Sequence, residues 1–308
     1  MKRYRVLYVV LSLVLMVVLS GCFMMNRFIY NDKELDEHYL NKTIKPKYQS
    51  IEVDHRQVHY AVVSKSDTLP LLVMIHGAPG AWYGYMNLTD DSLLQEHFKM
   101  VAVDRLGYGH SGYGKAELST EVQASAIESV IKKENTWGKK VYLIGRSYGA
   151  PIAAVIAMRR PDLIAKLVMV SPVIDPSKEK FYWFSNMGKW KVVQWFLPDM
   201  MNVATKEKFS HADEMRKLQN DWKELKTPTY VLVGENDDIA DTANYTFARK
   251  NITNCSAMFM KLSNTGHLIT YQHPDLIRTL LFEKNTCDLP PYVAERADTK
   301  LQGSNQRN

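Results

Sequence analysis

The chain has 308 residues, 46% of them apolar, which suits one large domain or two small ones with a sizeable core. Its net charge is +6, but Lys2, Arg3 and Arg5 supply half of that. No stretch interleaves Lys and Arg with aromatics, which argues against a nucleic-acid surface, and the cysteines show no metal-ligand spacing.

The N-terminus reads as a targeting segment. Lys2, Arg3 and Arg5 precede an apolar run over residues 6–19, of signal-peptide length and short for a membrane span. Leu19-Ser20-Gly21-Cys22 follows. It resembles the lipobox of bacterial lipoproteins, where the peptide is cut before the cysteine and the thiol is lipidated. The resemblance implies a signal peptide over residues 1–21 and an acylated Cys22, with palmitate among the acyl groups. The body would then sit outside the cytoplasm, in the bacterial cell envelope, held stably by several acyl chains.

Residues 22–48 are polar and charged, and read as a tether into a domain over 49–284. Residues 49–53 and 57–63 alternate around Asp54-His55-Arg56, the pattern of a hairpin. Residues 71–75 form a continuous apolar run, as expected of a strand buried on both faces. Runs at 100–103, 141–144, 167–170, 230–233 and 257–262 repeat it. Helices are predicted between them. In 120–132, Thr120 and Gln123 suggest a capping box, and Val122, Ala126, Ile127, Val130 and Ile131 suggest one apolar face. Residues 150–159 are small and apolar, and 274–282 open with Pro274 at a first-turn position. The alternation predicts an α/β fold with a mostly parallel eight-stranded sheet.

Residues 175–226 interrupt the rhythm. They contain no strand-like run and carry Trp183, Trp190, Trp195 and Trp222, so they read as an inserted helical cap. The tail, 285–308, is polar. Cys255 and Cys287 flank the last predicted strand and helix, where a disulfide is permitted.

The chemistry centres on Gly145-Arg146-Ser147-Tyr148-Gly149, between the strand ending at residue 144 and a helix. A serine on such a turn points outward, beside helix N–H groups able to receive an anion. A serine hydroxyl needs a base, and that base a carboxylate. Asp237 follows the strand 230–233 in Gly234-Glu235-Asn236-Asp237, and His267 follows 257–262 in Asn264-Thr265-Gly266-His267. Asp175 and Asp238 are weaker rivals for the acid. His273, before Pro274, reads as a surface or capping residue. The oxyanion donors expected are the amides of Tyr148 and of Ala78, in His76-Gly77-Ala78-Pro79-Gly80. His76 is expected to hold that loop by hydrogen bonding.

These motifs, with Asp104-Arg105-Leu106-Gly107-Tyr108-Gly109-His110-Ser111, together resemble the α/β-hydrolase superfamily over about residues 49–284. The resemblance implies the α/β-hydrolase fold, with the cap as its variable part. It implies that Asp104 and Arg105 shape a loop near the site. It also sorts relatives: epoxide hydrolases and haloalkane dehalogenases share the His-Gly-x-Pro loop but use an aspartate nucleophile, where this chain has Ser147.

The expected function is a membrane-tethered serine hydrolase that cleaves a carboxylic ester through an acyl-enzyme, with no metal or cofactor and no nucleic-acid partner. The substrate would be a small-molecule ester or peptide. A proline-iminopeptidase-like aminopeptidase is the alternative enzyme. It would use cap carboxylates drawn from Glu179, Glu207, Asp213, Glu214, Asp221 and Glu224, which otherwise read as a solvated face. A non-catalytic lipoprotein binding module is the alternative of another class. Arg146 inside the elbow has no account from sequence.

Overall fold

The computed structural model describes residues 30–182 and 185–283. The expected signal peptide, Cys22, Trp183, Cys287 and the polar tail lie outside the described residues. Eight strands form one sheet: β1 (Lys47–Val53), β2 (Arg56–Val63), β3 (Leu71–Ile75), β4 (Lys99–Val103), β5 (Val141–Arg146), β6 (Ile164–Val170), β7 (Thr229–Gly234) and β8 (Ala257–Leu262). Their spatial order is β1-β2-β4-β3-β5-β6-β7-β8. β2 pairs antiparallel with β1 and β4, and the remaining pairs are parallel. This is the fold expected from the sequence.

The helices are α1 (Asp32–Tyr39), α2 (Met86–Thr89), α3 (Ser92–His97), α4 (Thr120–Glu134), α5 (Gly149–Arg159), α6 (Lys191–Phe196), α7 (Asp199–Lys217), α8 (Ala243–Asn251), α9 (Ile269–Gln272) and α10 (Pro274–Phe282). They cover both faces of the sheet, giving two apolar layers. One joins α4 and α5 to the sheet through Ile127, Val130, Ala153 and Ile156, and the other joins α1 and α10 through Leu35, Tyr39, Ile277 and Leu280. β3 and β4 are buried at every position, which is why 71–75 and 100–103 read as unbroken apolar runs, with the buried Lys99 opening β4.

Three expectations need correction. Part of the stretch read as a tether is α1, closed by a reciprocal Asn31–Glu34 capping box and buried through Leu35 and Tyr39. The N-cap of α4 is Ser119, whose hydroxyl accepts from the Val122 amide, not Thr120. Gln123 instead reaches into the core, where its side chain bonds both the amide and the carbonyl of Leu106. Val122 is exposed, so the buried face of α4 is rotated toward Gln123 and Ala124.

Residues 175–226 run between β6 and β7 and, among the described residues, contain helices and no strand. Cys255 is disulfide-bonded. Among the described residues no helix is long and apolar enough to cross a membrane.

Candidate active site

The carboxyl ends of β5 to β8 carry the predicted residues. β5 ends at Arg146, and Ser147 follows with φ +52°, in the left-handed region that side chains normally avoid. The turn is tight because α5 starts at once. A Cβ on Gly149 would lie 2.2 Å from the Ile75 carbonyl oxygen, and one on Gly145 would lie 2.5 Å from the Gly149 oxygen. Only glycine fits at both positions.

Asp237 and His267 meet directly. His267 Nδ1 lies 2.8 Å from Asp237 Oδ2, and both residues are buried. The other oxygen, Oδ1, accepts from the amides of Ile239 and Ala240 at 3.0 and 2.8 Å, which fixes the carboxylate against rotation. The two loops are also locked to each other. The Asn236 amide donates to the Thr265 carbonyl, and a Cβ on Gly234 would strike the Gly266 and Thr265 oxygens at 2.4 Å. His273 is hydrogen-bonded through Nε2 to Thr265 Oγ1 at 2.8 Å, so it braces the His267 loop. Asp175 caps its own turn, accepting from the Ser177 amide and hydroxyl.

Ser147 joins this pair through the end of β6. Its amide donates to the Val170 carbonyl, while the hydroxyl of the next residue, Ser171, donates to the His267 carbonyl at 2.8 Å. The His76–Gly80 loop packs from the other side. A Cβ on Gly77 would sit 2.9 Å from Ser147 Cβ and 3.5 Å from its Oγ.

His76 holds that loop as expected. The Arg105 amide donates to His76 Nε2 at 3.0 Å, which leaves the proton on Nδ1 to donate to the Gly77 carbonyl at 2.6 Å. Burial, and then the neighbouring Arg105, push its pKa well below the usual imidazole value, so it stays neutral. Arg105 Nη2 also donates to the Gly77 carbonyl, at 3.1 Å. The Gly77–Ala78 peptide is trans, so its N–H points opposite to that doubly held carbonyl. Among the described residues neither the Ala78 nor the Tyr148 amide N–H has a protein acceptor.

Sequence reasoning missed how the cap reaches this centre. Glu207, on α7, grips Arg105 with both oxygens at 2.7 and 2.9 Å and accepts from the Tyr108 hydroxyl at 2.6 Å. All three residues are buried. Burial opposes the charge on Arg105, yet Glu207 and Tyr108 outweigh it and hold its pKa above the ordinary value. The Tyr148 hydroxyl donates to Glu179, which Lys208 also meets at 2.7 Å, and His211 lies against the Tyr148 ring at 4.1 Å. Glu179, Glu207 and Glu214 are therefore not a solvated face, whereas Asp213 and Glu224 are exposed. The signal was present in α7: Met200, Val203, Glu207, His211 and Glu214 fall on one helical stripe, and all are buried.

Arg146 now has a structural account. Its side chain leaves β5 opposite to Ser147 and lies between Tyr85 and Tyr271, 5.5 and 5.6 Å from the ring centres. Nη1 donates to Thr270 Oγ1 at 3.1 Å and reaches the Gly84 carbonyl at 3.5 Å. It thereby ties the segment after β3 to α9, which follows His267 directly.

Residues 70–211 match a sequence family described as alpha/beta hydrolase fold. An epoxide hydrolase B of Mycobacterium tuberculosis is 28% identical over 102 residues, covering 33% of this chain and 28% of that protein. A proline iminopeptidase of Lactobacillus helveticus is 26% identical over 125 residues, covering 39% of this chain and 42% of the relative. The chain thus spans less than half the length of each of these relatives. Among solved structures, a putative lipase from Acinetobacter baumannii superposes with a TM-score of 0.60 at 17% identity, covering 90% of this chain and 98% of that one.

Proposed function

We propose that this chain is a serine hydrolase of the alpha/beta hydrolase superfamily that cleaves carboxylic esters. The observation carrying the reading is Ser147 on its left-handed elbow, at the same sheet edge as the buried His267–Asp237 pair. Ser147 Oγ attacks the ester carbonyl carbon while His267 takes its proton. Asp237 holds the imidazole and stabilises its charged form. The Ala78 and Tyr148 amides receive the oxyanion, consistent with both N–H groups lacking an acceptor among the described residues. The carbonyl–oxygen bond to the alcohol then breaks, and His267 returns the proton to the leaving alcohol. Water, deprotonated by His267, attacks the acyl carbon, releases the acid and restores Ser147.

Epoxide hydrolases, to which the chain is similar, use an aspartate where Ser147 stands, which supports acyl transfer instead. The proline iminopeptidase likeness keeps an amide substrate in play. Against it, the buried cap carboxylates Glu207 and Glu214 are already engaged, by Arg105 and by the Thr120 amide. The tethering reading rests on the Leu19–Cys22 lipobox and places the body in the bacterial cell envelope.

A fluorophosphonate probe should label the folded wild type and not Ser147→Ala. Absence of Ser147-dependent labelling would leave only a binding module on a hydrolase fold. Panels of p-nitrophenyl esters and aminoacyl p-nitroanilides separate esterase from aminopeptidase. Cys22→Ser should abolish acylation, and retention of the lipid after that change would end the lipobox reading.

A further inference from the structure

A six-residue helix in the cap has no role in the chemistry above and buries nothing. α6 has no buried residue, yet it and its N-cap carry Trp190, Val192, Trp195 and Phe196, which are 59%, 69%, 84% and 66% exposed. A cap helix that serves a core turns its apolar side chains inward, as Trp222 does nearby. Such a cluster of exposed apolar side chains marks a contact surface.

Its chemistry favours a bilayer over a protein. Two tryptophans lead it, the side chain that settles at headgroup depth with its ring in the apolar layer and its N–H in the wet one. Residues 185–198 contain Lys189 and Lys191 and no acidic residue, a balance that suits anionic headgroups.

The chain's own layout brings this ridge to the membrane. A cavity of about 270 Å³ has Tyr30, Asn31, Asp32, Leu35 and Met200 among its lining residues. Tyr30 thus shares a cavity with Met200, in the first turn of α7 and four residues beyond Phe196. If Cys22 carries the lipid, Tyr30 lies eight residue steps along the chain from the anchored cysteine, a reach of at most about 29 Å. An anchor at Cys22 thus holds the body by the end that includes the start of α7, which α6 directly precedes in the chain.

We propose that Trp190, Val192, Trp195 and Phe196 form a membrane-docking face. It seats the cap on the bilayer that holds the anchor and presents the site to acyl esters carried in that bilayer. The proposal rests on the hydrolase and tether readings above, and deepens them by naming lipid esters as the substrate class.

The test uses the full-length chain reconstituted in phosphatidylcholine vesicles with and without phosphatidylglycerol. Dibrominated phosphatidylcholine should quench wild-type tryptophan emission more than that of a Trp190→Phe/Trp195→Phe variant. A second variant, Val192→Ser/Trp195→Ser/Phe196→Ser, should hydrolyse a vesicle-borne monoacylglycerol roughly tenfold more slowly while keeping wild-type turnover of soluble p-nitrophenyl acetate.

Equal quenching of vesicle-bound wild type and variant would overturn the docking face. So would equal hydrolysis of the vesicle-borne ester. A concentration-dependent dimer that protects Trp195 from bromolipid would overturn it in favour of a second copy. Loss of soluble-ester turnover in the wild type, or retention of membrane lipid by Cys22→Ser, would instead indict the underlying readings, because neither depends on α6.

Discussion

The most exacting test of the site concerns Arg105, which touches none of the reacting groups. Its guanidinium does two things at once: it satisfies the buried Glu207 carboxylate with two hydrogen bonds, and it donates to the Gly77 carbonyl, the far end of the peptide whose N–H is Ala78. Arg105→Met removes both. Glu207 would keep only the Tyr108 hydroxyl and a weak Gln123 contact at 3.5 Å. Leaving a buried carboxylate so poorly partnered costs about 3–5 kcal/mol of stability. The effect on chemistry is separate. Removing an oxyanion donor outright costs on the order of 100-fold or more in kcat. Here His76 still holds the Gly77 carbonyl at 2.6 Å, so the Ala78 amide is loosened and not lost. A fall of about tenfold in kcat, ~1.4 kcal/mol of barrier, is expected with KM little changed.

A double variant separates the two effects. Arg105→Met/Glu207→Leu removes the orphaned carboxylate along with its partner, and exchanging a whole buried pair for apolar side chains is often close to neutral. Denaturant unfolding should therefore show most of the stability restored, tempered by the Tyr108 hydroxyl losing its acceptor. The Gly77 carbonyl still lacks its second donor, so kcat on a p-nitrophenyl ester should stay low. A double variant that regains wild-type kcat together with stability would refute the orienting role and leave Arg105 as a structural clamp on the cap.

Asp237→Asn should keep the fold and lower kcat on the order of 10⁴-fold, because the amide can no longer stabilise the charged imidazole; an activity within tenfold of wild type would remove Asp237 from the mechanism. Gly149→Ala forces a Cβ to 2.2 Å from the Ile75 oxygen and 2.5 Å from the His76 oxygen, so a loss of about 3 kcal/mol or more is expected in denaturant unfolding. Stability should also fall in acid. Burial holds His76 and His211 below 6.5, so under that pH the unfolded chain binds more protons than the folded one. The stability they contribute is complete above pH 6.5 and is lost as pH falls below it, by about 1.4 kcal/mol per unit of depression. His211→Gln, which can still donate to the Val173 carbonyl, should flatten the acid limb of the unfolding-midpoint profile, and an unchanged limb would acquit His211.

The sheet was legible because its physics is one-dimensional. A strand covered on both faces must be apolar at every position, and β3, buried throughout, spans the run read from the sequence. The elbow and the Gly234–Asp237 turn were legible because each follows such a strand and needs glycine where backbone meets backbone, and the Gly266–His267 turn because it follows the last strand of the sheet. What escaped depends on contacts between distant segments. α1 looked like a tether because its outward residues are charged, with only Leu35 and Tyr39 to declare a buried side. α7 misled in the opposite sense, since Glu207, His211 and Glu214 occupy its inward stripe and their partners lie about a hundred residues away in Arg105, Tyr108 and Thr120, or in Val173.

Arg146 shows why the unread residues bear on function. Period-two alternation along β5 puts it and Ser147 on opposite sides of the strand end, so it is free to do structural work behind that serine. From there it joins the Gly84 carbonyl, after the oxyanion-side loop, to Thr270, after the histidine. Arg105 makes a second, buried link, from Glu207 on α7 to Gly77. The two arginines brace the segments that flank Ser147, Arg105 through Gly77 and Arg146 through Gly84 and Thr270. In this chain the groups that would do the chemistry sit on strand ends readable in sequence, while the groups that set their positions are long cations whose purpose emerges only when distant carbonyls are brought to them.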